Sequence, residues 1–258
     1  RLAGGDIVQA TRAVVANVTP TQLYERLLAD ADVPAPVAEG ARRFRYGRAE
    51  MQIHYALSEP VRWEGDERLN RTAVVHVTPG LDGVSRAVNE AERGLIPEEA
   101  TIVVGQPLTI DPSRAPDGKG LLWIQLQELP SRMDWDDGLR ERYADRIQAR
   151  LARHIPNLES SIVKRVALGP HDLERMNVNL RHGDPYGGAL SLDQNFLWRP
   201  FPASPGHATP VERLWHIGAS TWPGPGLGAG SGTLVAQSLL RPPLTERALS
   251  KVKELAGR

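Results

Sequence analysis

The chain has 258 residues, of which 41% are hydrophobic and 24% are charged, which is the composition of a globular protein with one large or two small domains. Its 31 basic residues balance 31 acidic residues, which excludes a strongly charged nucleic-acid-binding surface. The absence of cysteine excludes disulfides, thiolate catalysis and iron–sulfur clusters. No apolar run approaches the roughly 18 residues of a membrane span, so we expect a cytoplasmic protein.

The beginning of the chain predicts a strand followed by a helix. Ala13–Asn17 (AVVAN) is a short apolar strand. The following TPTQ, from Thr19 to Gln22, offers a helix cap, a proline at the first helical position and a capping-box partner. Because the chain opens without an initiator methionine, we expect it to be a fragment.

The next part of the chain predicts about four strands of a mixed sheet with helices packed on it. Apolar residues alternate with polar ones between Glu50 and Trp63 and again from Leu122 to Leu126, as in strands with one face on a core. Two further strands are predicted at 73–78 and 101–106. A helix from Asp82 to Arg93, ended by Gly94, interrupts the series.

The strongest helical pattern follows the sheet. Apolar residues recur every four positions from Leu139 to Ile155, Asp136 or Asp137 can cap the start, and Pro156 ends the run. Its basic face also carries acids, which indicates a solvated helix surface.

A glycine-rich segment near the end of the chain is the most informative one. It reads WHIGASTWPGPGLGAGSGTLVAQ from Trp215 to Gln237, with an apolar strand before the glycines and an apolar helical pattern after them. Free amides at a helix start, approached closely through glycines, favour a phosphate or an electron-rich ring. The segment does not spell G-x-G-x-x-G or a P-loop, and a glycine turn that serves packing alone stays an alternative.

These residues resemble a known family. GASTWPGPGLGAGSG, preceded by RLWHI, resembles the carboxyl-terminal flavin-contacting motif of the phytoene desaturase and carotenoid isomerase-like flavoproteins. Three other segments resemble that family in the same order: DPSRAPDGKGLLWIQLQELP, IPNLESSIVKRVALGPHDLE and GALSLDQNFLWRP. The resemblance covers most of the chain from Ala13 to Leu240. Trp222, Gly187 and Ala229 depart from the usual family residues.

The resemblance implies an α/β (α+β) flavoprotein fold of the amine oxidase and phytoene desaturase type, incomplete here, with a mixed-sheet substrate domain. Residues 1–30 would be a remnant of the FAD-binding domain, 31–210 the substrate domain, 211–245 the carboxyl-terminal part of the FAD-binding domain and 246–258 a terminal helix. The strands at 13–17 and 213–217 would then share a domain although they are far apart in sequence. The chain has no G-x-G-x-x-G unit for the adenosine diphosphate part of FAD, so the resemblance covers a carboxyl-terminal half.

Site residues follow from the same resemblance. Those implied to contact FAD near its ribityl and phosphate groups are Gly218, Ser220 and Thr221, and those implied to face the ring from the helix start are Gly226, Leu227 and Gly228. Those implied for the substrate region are Trp222, Asp193, Gln194 and His182, with packing or capping roles as alternatives. Arg199 is expected to pair with a carboxylate or a cofactor phosphate. No catalytic residue is assigned, and the seven histidines lack metal-site spacing.

The leading functional hypothesis is the carboxyl-terminal portion of an FAD-dependent oxidoreductase that acts on an apolar or polyene-like substrate. One alternative is a non-catalytic substrate-binding or assembly fragment, and another is an amine-oxidase-like flavoprotein that acts on a C–N bond. The expected partners are the amino-terminal FAD-binding half of the same protein and a small organic molecule. Homo-oligomerisation and peripheral membrane contact stay open.

Overall fold

The structure is a computed structural model that describes Leu2, residues 4–226 and residues 229–240. The chain forms two compact units. The terminal unit combines the chain up to Phe44 with the chain from Leu190 onward, and the central unit is Arg45–Ala189. The predicted terminal helix at 246–258 lies outside the described residues, and the predicted division into FAD-binding and substrate domains stays a prediction.

The described strands are, in chain order, β1 (Val14–Asn17), β2 (Ala49–Leu57), β3 (Val74–Val77), β4 (Ile102–Gly105), β5 (Gly120–Leu129), β6 (Ile162–Leu168) and β7 (Leu214–Ile217). The described α-helices are α1 (Ala35–Arg42), α2 (Leu81–Glu92), α3 (Asp137–Ala152), α4 (Leu158–Ser161), α5 (Pro170–Met176) and α6 (Gly230–Leu240). None of these helices combines the length and the apolar composition that crossing a bilayer requires.

In the terminal unit, β1 and β7 pair in parallel, with Val14 opposite Leu214 and Asn17 opposite Ile217. These two segments, which are far apart in the sequence, therefore lie side by side in one unit, and their assignment to an FAD-binding domain stays a prediction. The helix predicted after β1 differs in detail, because Thr21–Leu27 is a π-helix of seven residues. Its capping position is Pro20, with no side-chain cap, so the predicted capping box does not form.

In the central unit, five strands form one sheet in the order β3-β4-β5-β2-β6, and each neighbouring pair is antiparallel. The α/β class is confirmed, but the expectation of a mixed sheet is wrong for this sheet. Parallel pairing occurs instead between β1 and β7 of the terminal unit. The fifth strand, β6, was not predicted as a strand, because its sequence IVKRVAL does not alternate regularly between apolar and polar residues.

One face of this sheet packs on α3. Ile53 of β2, Ile124 of β5 and the α3 residues Ile147 and Leu151 are fully buried together, as the periodicity of the sequence predicts. Asp136 caps α3 by accepting a hydrogen bond from the Leu139 amide at 2.6 Å.

The opposite face of the sheet, which we call the open face, is less covered. A row of residues in register crosses all five strands there: Val74, Gly105, Trp123, His54 and Val166. The two valines are exposed, and the tryptophan and histidine are half-buried. The Trp123 ring lies over Gly105, where a Cβ atom would come within 2.5 Å of Trp123 Cε3.

Candidate functional site

The candidate site is built around the turn that follows β7, which we call the glycine turn (Gly218–Gly226). Gly218 has φ of +103°, and a Cβ atom there would collide with Oδ1 of Asn17 at the end of β1. Its amide donates a hydrogen bond of 2.9 Å to the Ser231 hydroxyl in the first turn of α6. Because Gly218 has no side chain, its backbone can pack against Asn17 of β1 and bond to Ser231, which links the β1–β7 pair to the start of α6.

Ser220 and Thr221, both predicted to lie near FAD, are buried in the glycine turn. The Thr221 amide and hydroxyl both donate to the Gly218 carbonyl, at 3.1 and 3.0 Å. The Gly224 amide donates to the Thr221 carbonyl at 2.7 Å. The Thr221 side chain thus stabilises the turn, and any contact of these residues with a cofactor stays a prediction.

Gly226 differs from the other glycines around it. A Cβ atom at Gly226 would meet no described atom within 4 Å, whereas one at Gly230 would come within 2.7 Å of Pro223 Cγ. Among the described residues, packing explains Gly218 and Gly230 but not Gly226. Open space at this glycine fits a flat ring lying against the backbone. Leu227 and Gly228, the other residues predicted to face the flavin ring, lie outside the described residues.

An exposed pair of aromatic rings joins Trp222 of the glycine turn to Phe196. The rings of Phe196 and Trp222 are 6.1 Å apart between centroids, and their residues are 53% and 40% exposed. The Trp222 carbonyl accepts a hydrogen bond of 2.8 Å from His207 Nε2. Phe196 was missed at the sequence level, although it lies inside one of the segments that resemble the family. Nothing in the sequence pairs it with a residue 26 positions later.

The remaining predicted residues of the terminal unit lie just before Phe196. Leu192–Gln194 forms a short 3₁₀ turn in which Asp193 is exposed and Gln194 is buried. Arg199 is fully buried, and its guanidinium reaches the glycine turn. The structure therefore brings the segments that carry Gln194 and Gly218 together through this arginine.

His182 belongs to the central unit. It lies at a positive φ of 56°, with Nδ1 3.9 Å from Glu174 Oε2 and its ring 6.1 Å from that of Tyr46. Burial lowers the pKa of His182. Its predicted place in a substrate region stays a prediction.

His216 on β7 has a structural role. It is buried, its Nε2 donates to the Val18 carbonyl at 2.6 Å, and burial lowers its pKa to about 4. The imidazole is therefore neutral at physiological pH. Across the residues that the structure describes, no group of three or more ligating side chains is arranged to hold a metal.

The central unit holds a buried acid that the sequence did not reveal. Glu50 is 1% exposed and lies at a β-bulge, where the register between β2 and β5 shifts. Its Oε2 accepts a hydrogen bond from Gln125 at 2.7 Å, while Oε1 is buried without a hydrogen-bond partner. Burial raises the pKa of Glu50 to about 7, and the nearby Asp184 and Glu128 act in the same direction.

Comparison with known proteins adds to this geometry. No protein-family model matches the chain. It is 31% identical over 234 residues to a zeta-carotene-forming phytoene desaturase of Myxococcus xanthus, a match that covers 88% of this chain. The chain is therefore similar to a phytoene desaturase over most of its own length. The family resemblance seen in the ordered sequence segments is therefore confirmed.

Other relatives agree with this assignment. Over 160 residues, or 60% of the chain, it is 30% identical to pyridine nucleotide-disulfide oxidoreductase domain-containing protein 2 of Rattus norvegicus. Over 243 residues, or 88% of the chain, it is 22% identical to a limonene dehydrogenase polypeptide of Castellaniella defragrans. The matches cover 41%, 27% and 44% of these three relatives, so the chain spans less than half of each.

Proposed function

We propose that the chain is the carboxyl-terminal portion of an FAD-dependent oxidoreductase that takes hydride equivalents from an apolar or polyene-like organic substrate. The observation that carries this proposal is the glycine turn. In it, Gly218 is fixed by close contacts on both sides, Gly226 has open space, and Trp222 forms an aromatic pair with the exposed Phe196.

The glycine turn would hold FAD through its backbone. The α6 helix has 11 residues, and the partial positive charge at its start stabilises negative charge placed before it. Bound FAD would supply the hydride acceptor, whose reduced form carries negative charge on the ring. The residues of this chain would orient the ring, and Gly226 would let it approach the backbone closely.

Two features support an apolar substrate, one in the terminal unit and one in the central unit. Phe196 and Trp222 offer exposed aromatic surface beside the glycine turn. In the central unit, the open face offers Trp123 and two exposed valines. Two of the relatives are named for phytoene and for limonene, which are apolar compounds. Removing a hydride from such a molecule depends mainly on orientation and on exclusion of water, which aromatic surfaces provide.

We further propose that an amino-terminal FAD-binding half of the same protein is the partner of this chain. The chain spans less than half of its relatives, and its sequence has no G-x-G-x-x-G unit to hold the cofactor's pyrophosphate. Contacts with the flavin ring alone would bind FAD weakly, because the charge-assisted hydrogen bonds to the phosphates would be missing.

The test is Gly226→Val in the protein reconstituted from both halves. Gly226→Val should abolish flavin retention and leave the far-UV circular dichroism unchanged, because the added side chain occupies the position of the ring. Gly65→Val is the matched control, since Gly65 also has a positive φ and a Cβ atom there also meets no atom within 4 Å, and it should keep the flavin. Equal loss of fold and flavin in Gly226→Val would contradict the proposal and favour a packing role.

A further inference from the structure

Arg199 is the largest side chain among those that are fully buried in the described residues, with 0% exposure. Its guanidinium directs two donors at one backbone oxygen, since Nε and Nη2 lie 2.9 and 2.7 Å from the Ala219 carbonyl. Nη1 lies 3.5 Å from the Gln194 carbonyl. Taking a guanidinium out of water is costly unless its donors are satisfied, so this contact is a specific feature of the fold.

The target of these donors matters because of peptide geometry. The Ala219–Ser220 peptide is trans, as the cis bonds of the described chain are those before Pro200 and Pro223. In a trans peptide the carbonyl and the following amide point to opposite sides. Holding the Ala219 carbonyl toward Arg199 therefore turns the Ser220 N–H away from the guanidinium.

We infer that Arg199 is a positioning residue, which fixes the Ala219–Ser220 peptide so that the Ser220 N–H is directed outward from the guanidinium before any ligand arrives. The consequence for FAD rests on the proposed function. If the glycine turn binds the anionic part of the cofactor, the orientation of the Ala219–Ser220 peptide is preorganised rather than induced.

The arrangement requires a guanidinium rather than any positive charge. Arginine presents its N–H groups in a planar fork, so two of them converge on the Ala219 oxygen. Lysine keeps the charge but lacks the fork, and methionine fills similar space with neither. Comparing Arg199→Lys with Arg199→Met therefore separates orientation by the fork from attraction by the charge.

The experiment is NMR-detected amide hydrogen exchange on the 258-residue chain. Loss of hydrogen bonds to a charged donor should speed exchange in the glycine turn, at Ser220 and its neighbours, about tenfold in both variants. Exchange in β2 and β5 should stay unchanged. Arg165→Met is the matched control, because Arg165 is a largely buried, ion-paired arginine of the central unit, and it should leave the glycine turn unaffected.

Three results would overturn the inference: unchanged exchange in the glycine turn, acceleration spread evenly over the terminal unit, or wild-type exchange in Arg199→Lys with acceleration only in Arg199→Met. If Arg199→Met fails to fold, exchange in Arg199→Lys still tests the inference, because unchanged exchange in its glycine turn would overturn it.

A second readout separates this inference from the proposed function. Adding FAD at millimolar concentration should protect the amides of the glycine turn in the wild-type chain about tenfold more than in Arg199→Lys. Equal protection in both would overturn the inference. Absence of protection in the wild-type chain would instead count against the proposed cofactor site, and the exchange rates without FAD would still test the role of Arg199.

Discussion

Glu50→Gln should make the protein more stable at alkaline pH. Burial raises the pKa of Glu50 from an ordinary 4.5 to about 7, and the groups that face it are Gln125, Tyr186, Asp184 and Glu128. Below pH 4.5 the acid is protonated in the folded and the unfolded chain alike. Between pH 4.5 and 7 the unfolded chain loses this proton first, so the free energy of unfolding falls as pH rises. Above pH 7 Glu50 is ionised in both states, and the free energy of unfolding stays at its lowered value.

The size of this effect follows from the pKa difference. A shift from 4.5 to about 7 corresponds to about 3 kcal/mol. Glutamine cannot ionise, and its oxygen can still accept the hydrogen bond from Gln125. Urea unfolding at pH 4.5 and pH 8 should therefore give equal free energies for both proteins at the lower pH and about 3 kcal/mol more for Glu50→Gln at the higher pH.

The control for this experiment is Glu39→Gln. The Glu39 side chain is 40% exposed, and its contacts with Arg42 and Arg43 lower its pKa, so its removal should not stabilise the protein at pH 8. If Glu50→Gln is no more stable than the wild type at pH 8, water must reach the carboxylate and burial does not hold it neutral.

Three further predictions concern single contacts. Gly218→Ala should destabilise the terminal unit by about 1–3 kcal/mol in calorimetry, because its Cβ collides with Asn17 at a positive φ; an unchanged melting temperature would contradict this. Asp136→Ala should lower the free energy of urea unfolding by about 1 kcal/mol through loss of the α3 cap, and a loss below about 0.3 kcal/mol would mean that the cap is unimportant. Phe196→Ala should cost at most about 1 kcal/mol of stability while raising KM for an apolar substrate in the reconstituted enzyme; an unchanged KM would remove the aromatic pair from the substrate site.

The elements that the sequence predicted well are those with a local physical signal. The helix α3 has an apolar residue at every fourth position and an aspartate at its cap, and β2 alternates cleanly, so both are fixed by short-range pattern. The direction of strands in the sheet has no such signal, because it depends on which strands become neighbours. The antiparallel order β3-β4-β5-β2-β6 therefore could not be read from the chain.

In the candidate site, too, the features with a local sequence signal were predicted and those that depend on distant contacts were not. Glycines between a strand and a helix pointed to the turn after β7. The aromatic partner of Trp222 and the target of Arg199 depend on contacts between segments about 20 residues apart or more. Glu50 was missed for a different reason. It occupies a polar position of an alternating strand, and a bulge and the neighbouring loop residues Asp184 and Tyr186 enclose it.

The central claim is that this chain supplies the flavin-facing half of an FAD site and depends on an amino-terminal half for the rest. The most direct measurement is the ratio of FAD to protein after gel filtration, for the chain alone and for the chain mixed with that half. We predict a colourless chain alone and a yellow complex with about one FAD per chain, because in the proposed function the amino-terminal half supplies the pyrophosphate site. Stoichiometric FAD on the chain alone, or a complex without flavin, would contradict this claim.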